Sequence, residues 1–407
     1  MCRPAVPLPE TGQGPPRPTV GGLARAHGAA LQREHALSEA QRKVLRMVAI
    51  CRTPVLGGRL DVCAACGYQR PVFHSCRNRH CPGCQSLVQA RWMERRLVRL
   101  LPSDYFHVVF TVPDNLLSGI ALRNRELFFN ALFAAGSETL LALGQDPSRL
   151  GAQLGLTAVL HTWTRDLRFH PHLHCIVTGG GLSEDGLRWR STRQDYLFPV
   201  RVLSKLFRGK LIAKLEEARR AGKLKLDGIE GFEVPSRSDG AWRRLRDKLF
   251  KTRWISYAKQ PFGGAAAVYA YLGRYTHRVG LSNHRLVAAT ADSVTFRTRG
   301  DQTATLHPVE FLRRFLQHVL PDRFVKLRHY GLLAPGNVNG RLQLAKQLLE
   351  AQTNNPAPAP PLPPTTTPED WRTLLLRRAG IDVTRCPLCD GPLTSLALDR
   401  PRFVDTS

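Results

Sequence analysis

Two Cys-x2-Cys pairs, Cys63-Ala-Ala-Cys66 and Cys81-Pro-Gly-Cys84, stand 14 residues apart in the segment 51–85. That segment is dense in Cys, His, Gly and Arg and too polar for an ordinary apolar core. A stretch of this kind folds by gathering ligands around an ion. Each pair can form a knuckle presenting two thiolates, and two knuckles complete the tetrahedron that Zn2+ prefers. Gly67 and Gly83 supply the permissive backbone of such turns. The spacing therefore predicts one structural Zn2+ held by Cys63, Cys66, Cys81 and Cys84. Cys76 and His80, with His74, lie between the knuckles. They could replace one thiolate or join Cys51 in a second site, and the spacing leaves that choice open. Arg70, Arg77, Arg79 and Arg91 surround the module, which reads either as a DNA contact or as a solvated basic face. Near the end of the chain, Cys386-Pro-Leu-Cys389 forms a lone pair that needs two ligands from elsewhere in the chain or from a second subunit.

Charge narrows the class of partner. Lys plus Arg number 59 against 32 Asp plus Glu, a formal charge of +27. A field of that sign attracts polyanions, above all phosphate backbones. The 43% hydrophobic content still allows a substantial core. No uninterrupted apolar run of membrane-spanning length is present, and the first residues contain no apolar signal-peptide core. The expectation is a cytoplasmic, nucleoid-associated protein with no membrane partner. Its ten cysteines would then be thiols or metal ligands rather than disulfides.

The predicted architecture is α+β. Residues 1–35, rich in Pro, Gly and Ala, are expected to be disordered. A zinc-binding domain would occupy 36–95, opened by a helix from Leu37 to Ile50. A catalytic domain would span 100–345. Within it, Tyr105–Val112, Leu156–Trp163 and Pro171–Thr178 read as strands, 119–144 as one long helix, and 201–260 as a basic helical insertion. Val287–Leu306 suggests a hairpin. A Pro-rich linker at 350–370 precedes a tail, 371–407, that carries the last Cys pair.

Two patterns within the catalytic domain carry chemistry. In Arg168-Phe-His-Pro-His-Leu-His-Cys-Ile-Val-Thr178, His172 and His174 alternate on a strand and so share a face, about 7 Å apart along it. Such a pair can grip a divalent ion and leave positions open for a phosphate oxygen. His161, on the preceding strand, is the preferred third ligand. His170 is nearer in sequence, but Pro171 should turn the chain there. The second pattern is Val268-Tyr-Ala-Tyr-Leu-Gly-Arg-Tyr-Thr-His-Arg278. If it is helical, Tyr271 and Tyr275 share a face and are candidate nucleophiles, while Tyr269 falls off that face. Arg274 and Arg278 could hold the scissile strand. In the basic segment, Arg243 and Arg244 are candidate backbone contacts. Trp242 is either a base-stacking platform or a core residue.

Taken in order, these pieces resemble the HUH-endonuclease transposases of rolling-circle insertion sequences, the IS91 type. The histidine–hydrophobic–histidine motif matches His172-Leu173-His174. The first family motif is similar to Phe110-Thr111-Val112-Pro113, and the tyrosine motif to Tyr271-Leu-Gly-Arg-Tyr275. The amino-terminal zinc domain is similar to residues 51–90, including Cys76 to Gln85. The resemblance covers residues 38–345. It implies an antiparallel-sheet nuclease core flanked by helices, with the histidines on a central strand. It also implies Mg2+ or Mn2+ at the histidines and tyrosine attack leaving a 5′-phosphotyrosine. The implied partners are single-stranded DNA at the element ends, target DNA and host replication proteins. Two other readings stay open on the residues alone. One is a plasmid-type replication initiator or relaxase with the same chemistry; the other is a non-catalytic zinc-dependent DNA-binding protein.

Overall fold

A computed structural model describes residues 17–85, 88–92, 99–193, 196–232, 238–259, 280–352 and 370–400. The chain divides into two compact units. The first draws on residues 1–88, 277–319 and 364–407, the second on 89–276 and 320–363.

The first unit begins with a helix where disorder was expected. Val20–Glu34 is helical, with the Thr19 side chain accepting a hydrogen bond from the Gly22 amide at its start. Val20, Leu23, Ala24, Gly28 and Leu31 are buried along one side. Gly21 is required there, because a Cβ at that position would stand 2.9 Å from the Val48 carbonyl. The Gly and Ala content that suggested disorder instead allows close helix packing. Glu39–Ala49 follows, opened by a full capping box between Ser38 and Gln41. A third helix, Pro308–Gln317, packs on both.

Two small sheets complete this unit. Strands β1 (Gly58–Cys63) and β2 (Gln69–Phe73) form a hairpin across the first knuckle. The last strand among the described residues, β12 (Leu393–Leu398), pairs antiparallel along the other edge of β1. The tail is therefore an integral strand of the amino-terminal sheet. Asp61 is fully buried at its centre, bonded to Arg59 at 2.7 Å, Arg70 at 3.0 Å and the Ser395 hydroxyl at 2.7 Å. Burial would raise its pKa. Arg59, Ser395 and Arg70 outweigh that cost and hold it below the ordinary carboxylate value. Arg70 thus has a structural partner. The expected hairpin at Val287–Leu306 is a three-stranded meander, β8 (Leu286–Ala289), β9 (Val294–Arg297) and β10 (Thr303–Leu306).

The second unit is built on one antiparallel sheet. Strands β3 (Tyr105–Thr111), β4 (Gln153–Trp163), β5 (Phe169–Leu182), β7 (Ser256–Lys259) and β11 (Leu327–Gly331) run in the order β11-β4-β5-β3-β7. β6 (Trp189–Ser191) folds back on β5 at Gly180 and Gly181. Any Cβ on Gly180 would lie 2.7 Å from the Trp189 ring and the Arg190 carbonyl, so the strand crossing requires glycine.

Helices Asp114–Arg123, Arg125–Gln145, Val200–Arg220 and Ser238–Lys251 enclose a core with one face of this sheet. The single long helix expected at 119–144 is two, because Asn124 leaves helical geometry and its side chain bonds the Ile120 and Lys225 carbonyls. The segment expected to be helical through 260 ends in β7, which pairs with β3. Arg125–Gln145 is long and apolar enough to cross a membrane by length and composition. Its apolar residues are spent on the core, with Phe128, Phe129, Leu132, Phe133 and Leu140 fully buried.

Candidate metal centres

Strand β5 alternates cleanly over its first half. Phe169, Pro171, Leu173 and Cys175 are buried, while His170, His172 and His174 are half-buried. The period of two puts the first set against the helices and the histidines on the opposite face. Cross-strand register then brings in the third imidazole. His161 on β4 sits directly opposite His172, and Val159 opposite His174. One ligand nitrogen each from His161, His172 and His174 lies within 4.8 Å of the others. The His161 ring centroid is 4.2 Å from that of His174 and 5.4 Å from that of His172. His170 is not part of this group; its Nδ1 lies 3.3 Å from Asp114.

The protonation state suits cation binding. Burial pushes His172 down to about 4 and drives His161 and His174 well below the ordinary imidazole range. All three are neutral at physiological pH and offer lone pairs. Two hydrogen bonds orient them. His172 Nδ1 donates to the His170 carbonyl at 2.7 Å, which leaves the lone pair on its Nε2. His174 Nδ1 is 2.8 Å from Nε2 of His107 on β3, and the two rings stack at 5.0 Å and 12°. His107 is itself pushed down to about 4, by burial and by the charge of Lys259. Where His174 Nδ1 is the donor in that bond, its Nε2 keeps the lone pair for ligation. The sequence reading missed His107. Its alternation with Val109 and Thr111 was visible, but its register against β5 was not.

The cysteines do not group as expected. Cys63 and Cys66 do not share a site with Cys81 and Cys84. Instead, Cys51, Cys76, Cys81 and Cys84 bring their sulfurs within 4.8 Å of one another, and Cys63 and Cys66 do so with Cys386 and Cys389. The physical reason is the β1–β2 hairpin. It carries the first knuckle away on the sheet that β12 completes, while Cys51 follows directly on the helix Glu39–Ala49. In the first group the Cys76 and Cys84 sulfurs are 3.8 Å apart. A tetrahedral ion with bonds of about 2.3 Å requires a separation of about 3.8 Å. The Cys76 amide points at the Cys51 sulfur at 3.5 Å. Contacts from Cys76, Cys81 and Cys84 push the Cys51 thiol down, while the contact with Cys51 pushes Cys76 and Cys81 up. Cys76 is therefore a member of a four-sulfur set, and His80, though buried, belongs to neither.

Trp242 is a core residue rather than a stacking platform. It is 1% exposed, its indole N–H donates to Glu216, and Arg219 lies over its ring. Arg243 and Arg244, the next two residues of the same helix, are exposed. Tyr271, Tyr275, Arg274 and Arg278 lie outside the described residues.

The fold thus carries a histidine trio on an antiparallel sheet and two four-cysteine groups, and comparison with known proteins identifies its class as a transposase. Residues 23–112 match the family described as "Transposase zinc-binding domain", and residues 155–341 the one described as "Putative transposase". The chain belongs to the IS91-type transposases. It is 41% identical over 403 residues to "Putative transposase y4qJ" of Sinorhizobium fredii, covering 96% of this chain and 99% of the relative. It is 28% identical over 381 residues to "Transposase for insertion sequence element IS801" of Pseudomonas savastanoi pv. phaseolicola, covering 88% and 84%. No solved structure matches the chain. The group Cys51, Cys76, Cys81 and Cys84 lies wholly inside the matched zinc-binding domain, which supports Zn2+ as the structural metal.

Proposed function

We propose that this transposase nicks and rejoins single-stranded DNA at the ends of its insertion sequence through a covalent 5′-phosphotyrosine. The observation that carries the reading is the convergence of His161, His172 and His174, all neutral, on one face of the sheet. That donor set fits Mg2+ or, with its three nitrogens, Mn2+ more readily. Bound there, such an ion would supply Lewis-acid charge to the scissile phosphate.

The chain's own residues do the rest. The phenol oxygen of Tyr271 or Tyr275 attacks the scissile phosphorus and gives up its proton. A P–O bond forms to the tyrosine as the bond to the 3′ oxygen breaks. The departing oxygen takes a proton and becomes a free 3′ hydroxyl. The reverse attack, by a 3′ hydroxyl of another strand, joins the ends and restores the phenol. Two tyrosines allow two such cleavages in one cycle. Arg274 and Arg278 hold the phosphates of the cut strand, and Arg243 and Arg244 add backbone contacts. Target DNA is the second substrate, and host replication proteins supply new strand synthesis.

The test is a denaturing gel of labelled single-stranded DNA carrying the element ends, incubated with the protein and Mn2+. A metal-dependent covalent adduct is expected. It should weaken in Tyr271→Phe and in Tyr275→Phe, persist in Tyr269→Phe, and vanish in His172→Ala with the fold retained. Full adduct formation by His172→Ala would refute the assignment. Joining of two element ends separates transposition from the nick-and-religate cycle of a replication initiator.

A further inference from the structure

The four-sulfur group at Cys63, Cys66, Cys386 and Cys389 joins positions more than 300 residues apart in one unit of the structure. The matched zinc-binding domain ends at residue 112 and contains only half of it. We propose that this group is a second structural zinc site, that the protein therefore holds two zinc ions, and that the carboxy-terminal tail is required to complete its amino-terminal zinc module.

Three independent features support it. The first is spacing. Cys63 and Cys389 sulfurs are 3.5 Å apart, and Cys66 and Cys386 sulfurs 3.6 Å. Both values are close to the about 3.8 Å edge of a tetrahedral zinc–thiolate site and far from the about 2.05 Å of a disulfide.

The second is that the two halves are built alike. In the first knuckle the Cys63 amide donates to the Tyr68 carbonyl at 2.9 Å, and the Gly67 amide to the Cys63 carbonyl at 3.0 Å. In the second the Cys386 amide donates to Gly391 at 2.8 Å, and the Asp390 amide to Cys386 at 3.0 Å. The residue four after the leading cysteine is left-handed in both, Gly67 at φ 74° and Asp390 at φ 58°. Two turns of the same design face each other, each presenting two sulfurs. An aspartate at a left-handed position bears a backbone cost that the closed turn must offset.

The third is clearance. A Cβ on Gly391 would stand 3.3 Å from both the Cys63 and Cys389 sulfurs, so that glycine keeps the sulfur cluster open. Around it, β12 holds register with β1 over six residues, ending with Leu393 opposite Cys63. Cys66 and Cys389 are nevertheless exposed. As bare thiols in that position they would be open to oxidation; as metal ligands they are capped.

Zinc content and thiol accessibility test this without reference to DNA cleavage. The full chain, purified under reducing conditions, should contain two zinc per molecule by plasma mass spectrometry. The double substitution Cys386→Ser with Cys389→Ser should reduce this to one. It should also open the tail to limited proteolysis. Alkylation of the unmodified chain gives a second readout that does not depend on a variant folding. With zinc bound, Cys63, Cys66, Cys386 and Cys389 should all resist iodoacetamide; under chelation they should become reactive together. One zinc in the unmodified chain, two in the tail variant, or full-rate alkylation of Cys386 and Cys389 in the zinc-loaded chain would each overturn the proposal. An intact mass showing a disulfide among these four would do so as well.

Discussion

His107 offers a sharp test of the histidine centre, because it bears on the metal without being grouped among its ligands. Its Nε2 lies 2.8 Å from His174 Nδ1, and its ring stacks on that of His174. His107→Phe keeps a ring of similar size in the stack and removes the hydrogen bond. His174 Nδ1 then loses that partner in a half-buried site, at a cost of up to about 1 kcal/mol. More tellingly, nothing on that side then fixes which nitrogen of the His174 ring carries its lone pair. Removal of such an outer partner lowers metal affinity by about 10- to 100-fold, or about 1.4–2.7 kcal/mol. Mn2+ titration by calorimetry, on chains whose urea unfolding is measured in parallel, would separate the two effects. His107→Gln, which can still bond His174 Nδ1, should recover part of the affinity. Unchanged Mn2+ affinity in a folded His107→Phe chain would refute the orientation argument, and with it the claim that His174 ligates through Nε2.

Three further outcomes follow, one from packing and two from charge. Trp242→Ala should destabilise the second unit by about 3–5 kcal/mol in denaturant unfolding, since a fully buried ring is removed. Arg243→Gln with Arg244→Gln should leave stability unchanged while lowering single-stranded DNA affinity and flattening its salt dependence, by a slope of about 0.7 for each phosphate no longer neutralised. In the first unit, the guanidinium groups of Arg313 and then Arg314 hold Glu310 down to about 2. A carboxylate depressed in the folded state stabilises it above its unfolded pKa of about 4.3. That contribution, about 1–2 kcal/mol after allowance for partial exposure, should fade as pH falls from about 4.3 towards 2. Glu310→Gln should therefore be less stable than the parent at pH 7 in urea unfolding and nearly equal to it at pH 2.

Much of the histidine centre was legible because strand alternation is a local rule. His172 and His174 share a face whatever lies around them. His161 followed from one further assumption, that the preceding strand was the neighbour, and β4 does pair with β5 at that position. The cysteines show where local reasoning stops. Two nearby Cys pairs suggested one ion, but the hairpin between them separates the pairs, and each completes its set with residues outside the two knuckles. Chain spacing carries no information about a partner more than 300 positions away. Composition misled at the amino terminus for a related reason. Glycine and proline favour irregular chain in isolation, but alanine is a strong helix former, and Gly21 lets one helix settle on the Val48 carbonyl of the next. Trp242 was undecidable from sequence because stacking and burial use the same ring; its Glu216 partner decided it.

The period of two along β5 also limits how this protein can change. Inserting one residue between His172 and Leu173 would send every later side chain to the wrong side, turning His174 toward the helices and Cys175 toward the histidine face. β5 is held by β3, β4 and β6 over most of its length, so the slip could not be absorbed by sliding. The turn Thr164–Arg168 is different. It is closed by local bonds from Arg168 and Leu167 to Thr164, and it already contains a left-handed residue at Leu167. Length variation among descendants of this chain should therefore collect in that turn, while the eleven positions of β4 and the first half of β5 keep a fixed reading frame of faces.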